Sequence, residues 1–171
     1  MFPISDLPPY IPDAEVRLYC SVEAGIHYGI PADLIYAVSL TEGGTAGQKV
    51  KNKNGTYDIG YMQFNNSYLN TLKKEGITTD DVSKHNCYPF HLAGWRIKGH
   101  LSESGSDLLQ KVAYYHSRTE SYNMIYRNKL AVNIRKFPRE QAIKYFEQII
   151  SQLNNYFKNQ PLLIEKLAQI Q

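Results

Sequence analysis

The chain has no long apolar run, and this absence limits how it can relate to a membrane. A bilayer-spanning helix needs about 20 consecutive apolar residues, and no segment of the 171-residue sequence approaches that length. The opening residues, Met1 to Tyr10, contain neither a basic segment nor a continuous apolar one, so no secretory signal peptide is visible. We therefore expect no membrane span.

The net charge is also small. The 19 Lys and Arg residues against 16 Asp and Glu residues leave a formal charge of +3, and no basic stripe interleaved with aromatic residues is present. These features argue against nucleic acid as a partner, while a mildly basic balance suits an anionic cell-wall polymer. A hydrophobic content of 43% and a charged content of 20% are ordinary for a globular protein, and the length favours one domain.

Cysteine is scarce, with only Cys20 and Cys87 in the chain. Two cysteines leave two interpretations open, namely free buried thiols in a reducing compartment or one disulfide in an oxidising compartment. No cluster of Cys and His has the spacing of a zinc site, so we predict no metal and no cofactor. Internal repeats and low-complexity linkers are absent as well.

The most informative stretch runs from Ile30 to Asn66. It begins as a helix, with Pro31 suited to the first helical position, and it stops at Gly43-Gly44, as expected just past a helix C-terminus. Glu42 is the last side chain before that stop and projects within roughly 20° of Ile35, on the apolar face. Burial and the negative end of the helix dipole both raise the pKa of such a carboxyl, which then suits a general acid. The alternative is a helix-terminal Glu that only fringes the core.

A short β-element follows this helix. The Asn54-Gly55 turn and the alternating run from Tyr57 to Phe64 predict a small strand or hairpin that carries Asp58. Two acidic groups on facing elements are what glycoside cleavage needs, since one protonates the leaving oxygen and the other stabilises or attacks the cationic sugar. The alternative for Asp58 is a turn residue that bonds nearby amide groups.

Three motifs resemble those of a known family. They are Glu42-Gly43-Gly44, Gly60-Tyr61-Met62-Gln63-Phe64-Asn65 and Ala113-Tyr114-Tyr115-His116-Ser117. In this order they resemble the lytic transglycosylases of the lysozyme superfamily, in the small subgroup that accompanies conjugation and specialised secretion systems. The family usually has Ser after the catalytic Glu, where this chain has Gly43. The run from Gly55 to Asn65 also resembles the segment of animal-type lysozymes that carries their second catalytic carboxylate.

This resemblance implies an α+β, predominantly α-helical, lysozyme-like fold with a small hairpin or sheet beside the cleft. It implies that Glu42 acts first as acid and then as base in cleaving peptidoglycan between N-acetylmuramic acid and N-acetylglucosamine, with a 1,6-anhydro product. Asp58 raises the alternative of a hydrolytic lysozyme with a carboxylate nucleophile. Gly43 raises a second alternative, an inactive peptidoglycan-binding module.

The resemblance also implies which residues bind the substrate: Met62, Gln63, Asn65, Tyr115 and His116. The Tyr115 hydroxyl is expected to hydrogen-bond Glu42. Gln63 and Asn65 alternate on the predicted strand and so share a face, which would meet sugar hydroxyl or acetamido groups or simply be an exposed polar face. His116 would either bond substrate or cap a helix C-terminus.

Partners and location follow from the same resemblance. The expected partners are peptidoglycan glycan strands and components of a conjugation or secretion assembly. Cys20 and Cys87 occupy the places where the family has a disulfide, which implies an oxidising compartment and hence the periplasm or cell envelope.

The rest of the chain is predicted to be helical. We expect helices over residues 13–28, 67–75, 89–101, 107–116 and 121–136, a long one from Pro138, and a short one over 161–170. Gly94 predicts a close approach of the helix that bears Glu42, and His85, His91 and His100 are interpreted as surface residues. Residues 1–138 are expected to form the catalytic domain. Residues 139–171 form a C-terminal extension that either packs on it or presents an amphipathic contact surface.

Overall fold

The computed structural model describes residues 11–105 and 107–158. The chain divides into two compact units, of which the first ends at Phe137 and the second begins at Pro138. Within those residues, the first unit contains seven α-helices and a three-stranded antiparallel sheet. The helices are α1 Asp13–Tyr28, α2 Ala32–Glu42, α3 Asn66–Leu72, α4 Thr79–Ser83, α5 Tyr88–Leu101, α6 Leu108–Ala113 and α7 Glu120–Ile134. The second unit contains α8, Arg139–Lys158. The predicted α+β, predominantly helical class is confirmed, while the helix predicted over 161–170 lies outside the described residues.

Helix α2, which ends in Glu42, lies at the centre of the first unit. It begins at Ala32, directly after Pro31, and ends at Gly43, whose φ of 66° is the left-handed conformation that glycine adopts without strain. Ile35 and Val38 are fully buried in the core. A Cβ at Gly94 of α5 would lie 2.8 Å from the Tyr28 ring and 3.4 Å from Ile35. The expected close approach of another helix is confirmed, but that helix is α1 through Tyr28, while the Glu42 helix makes an ordinary contact through Ile35.

A disulfide joins α1 to the start of α5. Cys20 lies on the buried face of α1, and Cys87 directly precedes α5. The two sulfurs are bonded, which closes a sequence separation of 67 residues. The disulfide interpretation of these two cysteines is thus the one that the structure supports.

The sheet consists of β1 Lys49–Lys51, β2 Tyr57–Ile59 and β3 Phe64–Asn65, in that spatial order. Gly55, with φ of 83°, lies in the turn between β1 and β2, so the predicted Asn-Gly hairpin is confirmed. The pairing places Asp58 of the central strand between Val50 and Asn65. The alternation predicted for Gln63 and Asn65 is wrong, because Gln63 lies in the β2–β3 turn with φ of 46°.

Of the three histidines interpreted as surface residues, His85 and His100 are partly exposed and His91 is not. His91 is buried, and its Nε2 lies 3.8 Å from a Glu23 carboxylate oxygen. The Nδ1 atom of His85 lies 2.8 Å from the Tyr61 hydroxyl oxygen, and that of His100 lies 3.1 Å from Glu103 Oε1. The surface interpretation is wrong for His91, because the packing of α5 against α1 buries it, a contact between segments far apart in the chain.

Helix α8 of the second unit is strongly amphipathic. Ala142 and Ile149 are buried, whereas Ile143, Phe146 and Tyr156 on the apolar side are about half exposed. Neither this helix nor any other among the described residues is both long and apolar enough to cross a bilayer. The packing of the extension on the catalytic domain stays a prediction.

Candidate active site

The Glu42 carboxyl lies at the junction of α2 and α7. Its side chain is half-buried, and the Tyr126 hydroxyl donates a hydrogen bond of 2.6 Å to Oε1. Tyr126 is only 4% exposed, and it projects from the buried face of α7 together with Asn123 and Leu130. Since α7 packs along α2, the tyrosine is fixed beside the last residue of that helix.

Several groups act on the protonation of Glu42. Burial is the largest influence, and together with the negative charge of Asp58 it raises the pKa of Glu42 to about 7. The Tyr126 hydrogen bond and the positive charges of Arg96 and Lys129 act in the opposite direction. The carboxyl is therefore substantially protonated at neutral pH, as a general acid must be.

Asp58 is held by side-chain amides. Its Oδ2 accepts a hydrogen bond of 3.0 Å from Asn52 Nδ2, and its Oδ1 accepts one of 2.9 Å from Asn65 Nδ2. Asn65 also donates to the Thr56 hydroxyl at 2.9 Å, which ties the carboxylate to the β1–β2 turn. The negative charge of Asp58 also raises the pKa of Glu42.

Tyr115 does not hydrogen-bond Glu42, so that prediction is wrong. Its hydroxyl donates to the Met62 carbonyl at 2.8 Å, and its ring is buried, with the Arg96 guanidinium 4.7 Å from the ring centroid. Tyr126 supplies the hydrogen bond instead. One sequence signal could have found it: Asn123, Tyr126 and Leu130 have the i, i+3, i+7 spacing of an inward helix face.

Met62 and Gln63, two of the predicted substrate-binding residues, lie in the turn between β2 and β3. Met62 is fully buried in the core, and its contact with substrate stays a prediction. The Gln63 Nε2 atom donates to the Gly60 carbonyl at 2.8 Å. A Cβ at Gly44 would lie 2.0 Å from that carbonyl oxygen and 2.5 Å from Gln63 Nε2, so the turn after Glu42 is closely packed against the β2–β3 turn.

Asn65 has a double structural role, because besides holding Asp58 it accepts a hydrogen bond from the Ser67 amide at 3.0 Å and so caps α3. Both Gln63 and Asn65 remain partly exposed. Their contact with a sugar stays a prediction.

His116 lies beside the Glu42 carboxyl. Its exposed imidazole stacks on the Tyr126 ring, with centroids 4.9 Å apart and planes 3° apart. Partial desolvation, and then the charge of Lys129, lower the pKa of His116, which favours the neutral ring. Glu42, His116 and Tyr126 line one cavity of about 200 Å³, so the imidazole is placed where a ligand of Glu42 would meet it.

Sequence reasoning missed Arg17. This largely buried residue of α1 donates from one nitrogen to the Ser39 carbonyl at 2.7 Å and from another to the Gly44 carbonyl. Its guanidinium also lies 5.2 Å from the centroid of the Tyr61 ring. Arg17 thus binds the two carbonyls that bracket Glu42. An arginine on an otherwise apolar helix face was the only available signal.

Comparisons with known proteins give a partial match. No protein-family model matches the chain. The chain is 33% identical over 78 residues to Protein IpgF of Shigella flexneri, covering 45% of this chain and 51% of that protein. It is 33% identical over 86 residues to Protein IpgF of Shigella sonnei, covering 50% and 54%. The chain therefore spans about half the length of the curated relatives that it matches.

Proposed function

We propose that this protein is a peptidoglycan lytic transglycosylase with a lysozyme-like fold. It would cleave the β-1,4 bond between N-acetylmuramic acid and N-acetylglucosamine and leave a 1,6-anhydro ring. The observation that carries the proposal is Glu42, whose pKa is raised to about 7 in a cavity where Tyr126 bonds it and Asp58 acts on it. The order of the three sequence motifs gives independent support.

In the proposed reaction Glu42 transfers one proton in each of two steps. Protonated Glu42 first donates to the glycosidic oxygen as the bond from C1 to that oxygen breaks. The resulting carboxylate then removes the proton from the C6 hydroxyl of the muramic acid, whose oxygen forms the new bond to C1. Glu42 ends protonated, so no water is consumed. The Tyr126 hydroxyl stabilises the intermediate carboxylate, and ionised Asp58 stabilises the positive charge that develops on the sugar.

Hydrolysis through a covalent glycosyl intermediate on Asp58 is the second candidate. The observation that favours it is a carboxylate held in a fixed orientation at the same site as the acid. Both oxygens of that carboxylate already accept an amide hydrogen bond, which draws electron density away from the attacking atom. We therefore prefer the electrostatic role for Asp58.

Gly43 does not favour an inactive module. Its backbone has φ of 66°, where glycine is unstrained, and an added Cβ would come no nearer than 3.9 Å to the Leu40 carbonyl. Glycine therefore suits the local backbone, and the Tyr126 bond to Glu42 forms without a hydroxyl at position 43.

The cellular setting is part of the proposal. A disulfide between Cys20 and Cys87 persists in an oxidising compartment, which supports the periplasm or cell envelope. There the enzyme would open peptidoglycan locally for a conjugation or secretion assembly. We further propose that residues 1–138 are the catalytic domain and that residues 139–171 pack on it as an extension.

Digestion of purified sacculi, followed by mass measurement of the released muropeptides, tests the proposal. Wild-type protein should release fragments that end in anhydro-muramic acid, whereas uptake of ¹⁸O from labelled water would instead indicate the hydrolase. Glu42→Gln should lower the rate at least a thousandfold, because the amide can neither donate nor accept the transferred proton. An active Glu42→Gln protein, or sacculus binding by wild type without any product, would overturn both enzymatic readings.

A further inference from the structure

The cavity at Glu42 continues along α7. The wall of the catalytic cavity includes Thr41, Tyr122 and Lys129 besides Glu42. A neighbouring open cavity shares Thr41 and Lys129 with it and extends towards Val132. Lys129 thus lies on the wall common to both cavities, next to the catalytic carboxyl but outside the proton transfer.

The Lys129 ammonium is a cation without a counter-ion among the described residues. Its positive charge lowers the pKa of both Glu42 and His116, so it lies close to the two groups. None of the ion pairs that the described part of the chain forms includes Lys129. The contrast with Arg127 on the same helix is clear, since Arg127 pairs with Asp107 at 3.4 Å and Glu120 at 2.5 Å.

The rest of this wall is apolar and exposed. Tyr122 is 60% and Ile125 54% exposed, and both share one side of α7 with Lys129 at helical spacing. An aromatic ring and an aliphatic chain suit the apolar face of a sugar ring. One uncompensated cation beside them suits a sugar that bears an acidic substituent rather than a neutral one.

We propose that Lys129 is a specificity-determining residue that binds a carboxylate on the muramyl substituent of the glycan, while Tyr122 and Ile125 pack against the sugar. The carboxylate belongs either to the lactyl group or to the attached peptide. This inference rests on the proposed function and deepens it, because it makes the site selective for acidic glycan over a neutral glycan of the same length.

Kinetics on three matched soluble glycans test the inference. The first keeps its peptides, the second is stripped by an amidase to free lactyl carboxylates, and the third is the second with those carboxylates converted to amides. Lys129→Met keeps the length of the side chain and removes its charge. We expect KM to rise about tenfold on one or both acidic glycans, because only these lose a charge-assisted hydrogen bond to Lys129. KM on the amidated glycan should stay unchanged.

Two further variants are the controls. Lys129→Arg should restore most of the acidic preference, and Lys73→Met should change no KM, because Lys73 is an exposed lysine on the short 3₁₀ turn after α3. Removing the Lys129 charge also acts on Glu42, but it does so equally with every glycan. The ratio of KM values between acidic and amidated glycans therefore isolates recognition.

The possible outcomes separate this inference from the proposed function. A response confined to the peptide-bearing or to the stripped glycan supports the inference and identifies the source of the carboxylate. An equal rise in KM on all three glycans, or no change on any, overturns it while leaving the enzyme assignment intact. If wild type cleaves none of them, calorimetric binding to the same glycans decides, and Lys129→Met must then lose acidic preference for the inference to stand.

Discussion

At the residue scale, the pKa of Glu42 results from neighbouring groups with opposite effects. Burial and the Asp58 charge raise its pKa, while the Tyr126 hydroxyl, Arg96 and Lys129 lower it. With a pKa of about 7, Glu42 suits both donating a proton and accepting one, because general acid–base catalysis is most efficient when the pKa lies near the working pH. A carboxyl with the ordinary value would already have lost its proton.

The pH profile should therefore fall above neutrality. The proposed mechanism requires protonated Glu42 in the free enzyme, so kcat/KM should decline as pH rises through about 7. Tyr126→Phe removes a hydrogen bond that lowers this pKa, so the declining limb should move to higher pH. The same variant should lower kcat about tenfold, because the carboxylate formed after proton donation loses its donor. Rate profiles between pH 4 and 9 measure both effects.

Tyr115→Phe is the matched control for that profile. Its hydroxyl donates to the Met62 carbonyl and not to Glu42, so the declining limb should stay in place. A shift with Tyr115→Phe equal to that with Tyr126→Phe would contradict the assignment of the tyrosine that contacts the acid.

At the scale of elements, the Arg17 side chain of α1 holds the end of α2 in place. Arg17 donates to the Ser39 and Gly44 carbonyls on either side of Glu42. The Ser39 carbonyl also accepts the Gly43 amide, whereas the Gly44 carbonyl lies just past the end of α2, where the Arg17 guanidinium supplies a donor. The direction in which Glu42 leaves its helix therefore depends on another helix.

Replacing Arg17 should lower both the free energy of unfolding and kcat. Arg17→Met removes one hydrogen bond from the Ser39 carbonyl, which keeps the Gly43 amide as a donor, and the side-chain hydrogen bond that the Gly44 carbonyl accepts. We therefore expect the free energy of unfolding to fall by about 2 kcal/mol. Well below the unfolding temperature, kcat should fall at least tenfold with KM nearly unchanged, because only the orientation of Glu42 is lost. Arg17→Lys keeps a charge but not the fork geometry, so it should restore little of kcat. A destabilised Arg17→Met variant with normal kcat would show that Arg17 does not position Glu42.

At the scale of the whole molecule, the disulfide links elements far apart in the chain. Cys20 and Cys87 are 67 residues apart, and closing a loop of that length restricts the unfolded chain. By the chain-entropy argument it stabilises by about 4 kcal/mol.

Reduction should therefore destabilise the protein. Urea unfolding of wild type with and without reductant should differ by about 2–4 kcal/mol, and the Cys20→Ala, Cys87→Ala double variant should be insensitive to reductant. Equal urea midpoints in both conditions would mean that the bond contributes nothing in solution.

Much of this fold could be predicted from local signals. Gly29, Gly43 and Gly76 each end a helical segment with positive φ, and the Asn54-Gly55 pair turns the hairpin. Helix α4 was missed although its capping box was visible, since Thr78 and Asp81 bond each other's backbone amides. The segment is so short that the periodicity of its side chains gives no signal.

The site was predictable only in part. The spacing of Glu42 relative to Ile35 placed the acid on a buried face, because both residues belong to one helix. Tyr126 is 84 residues from Glu42, and Arg17 is 22 residues from Ser39. Contacts of that kind depend on how helices pack, for which neighbouring residues give no signal. That is why Tyr115 was chosen in place of Tyr126.

The sequence by itself therefore determined the elements, the turns and the position of the acid, because backbone conformation and side-chain periodicity act over a few residues. Only the tertiary structure decided which hydroxyl bonds Glu42, which arginine bonds the carbonyls beside it, and which lysine on the cavity wall has no counter-ion among the described residues. Hydrogen bonds and charges act through space over a few ångströms, and folding alone brings distant residues that close.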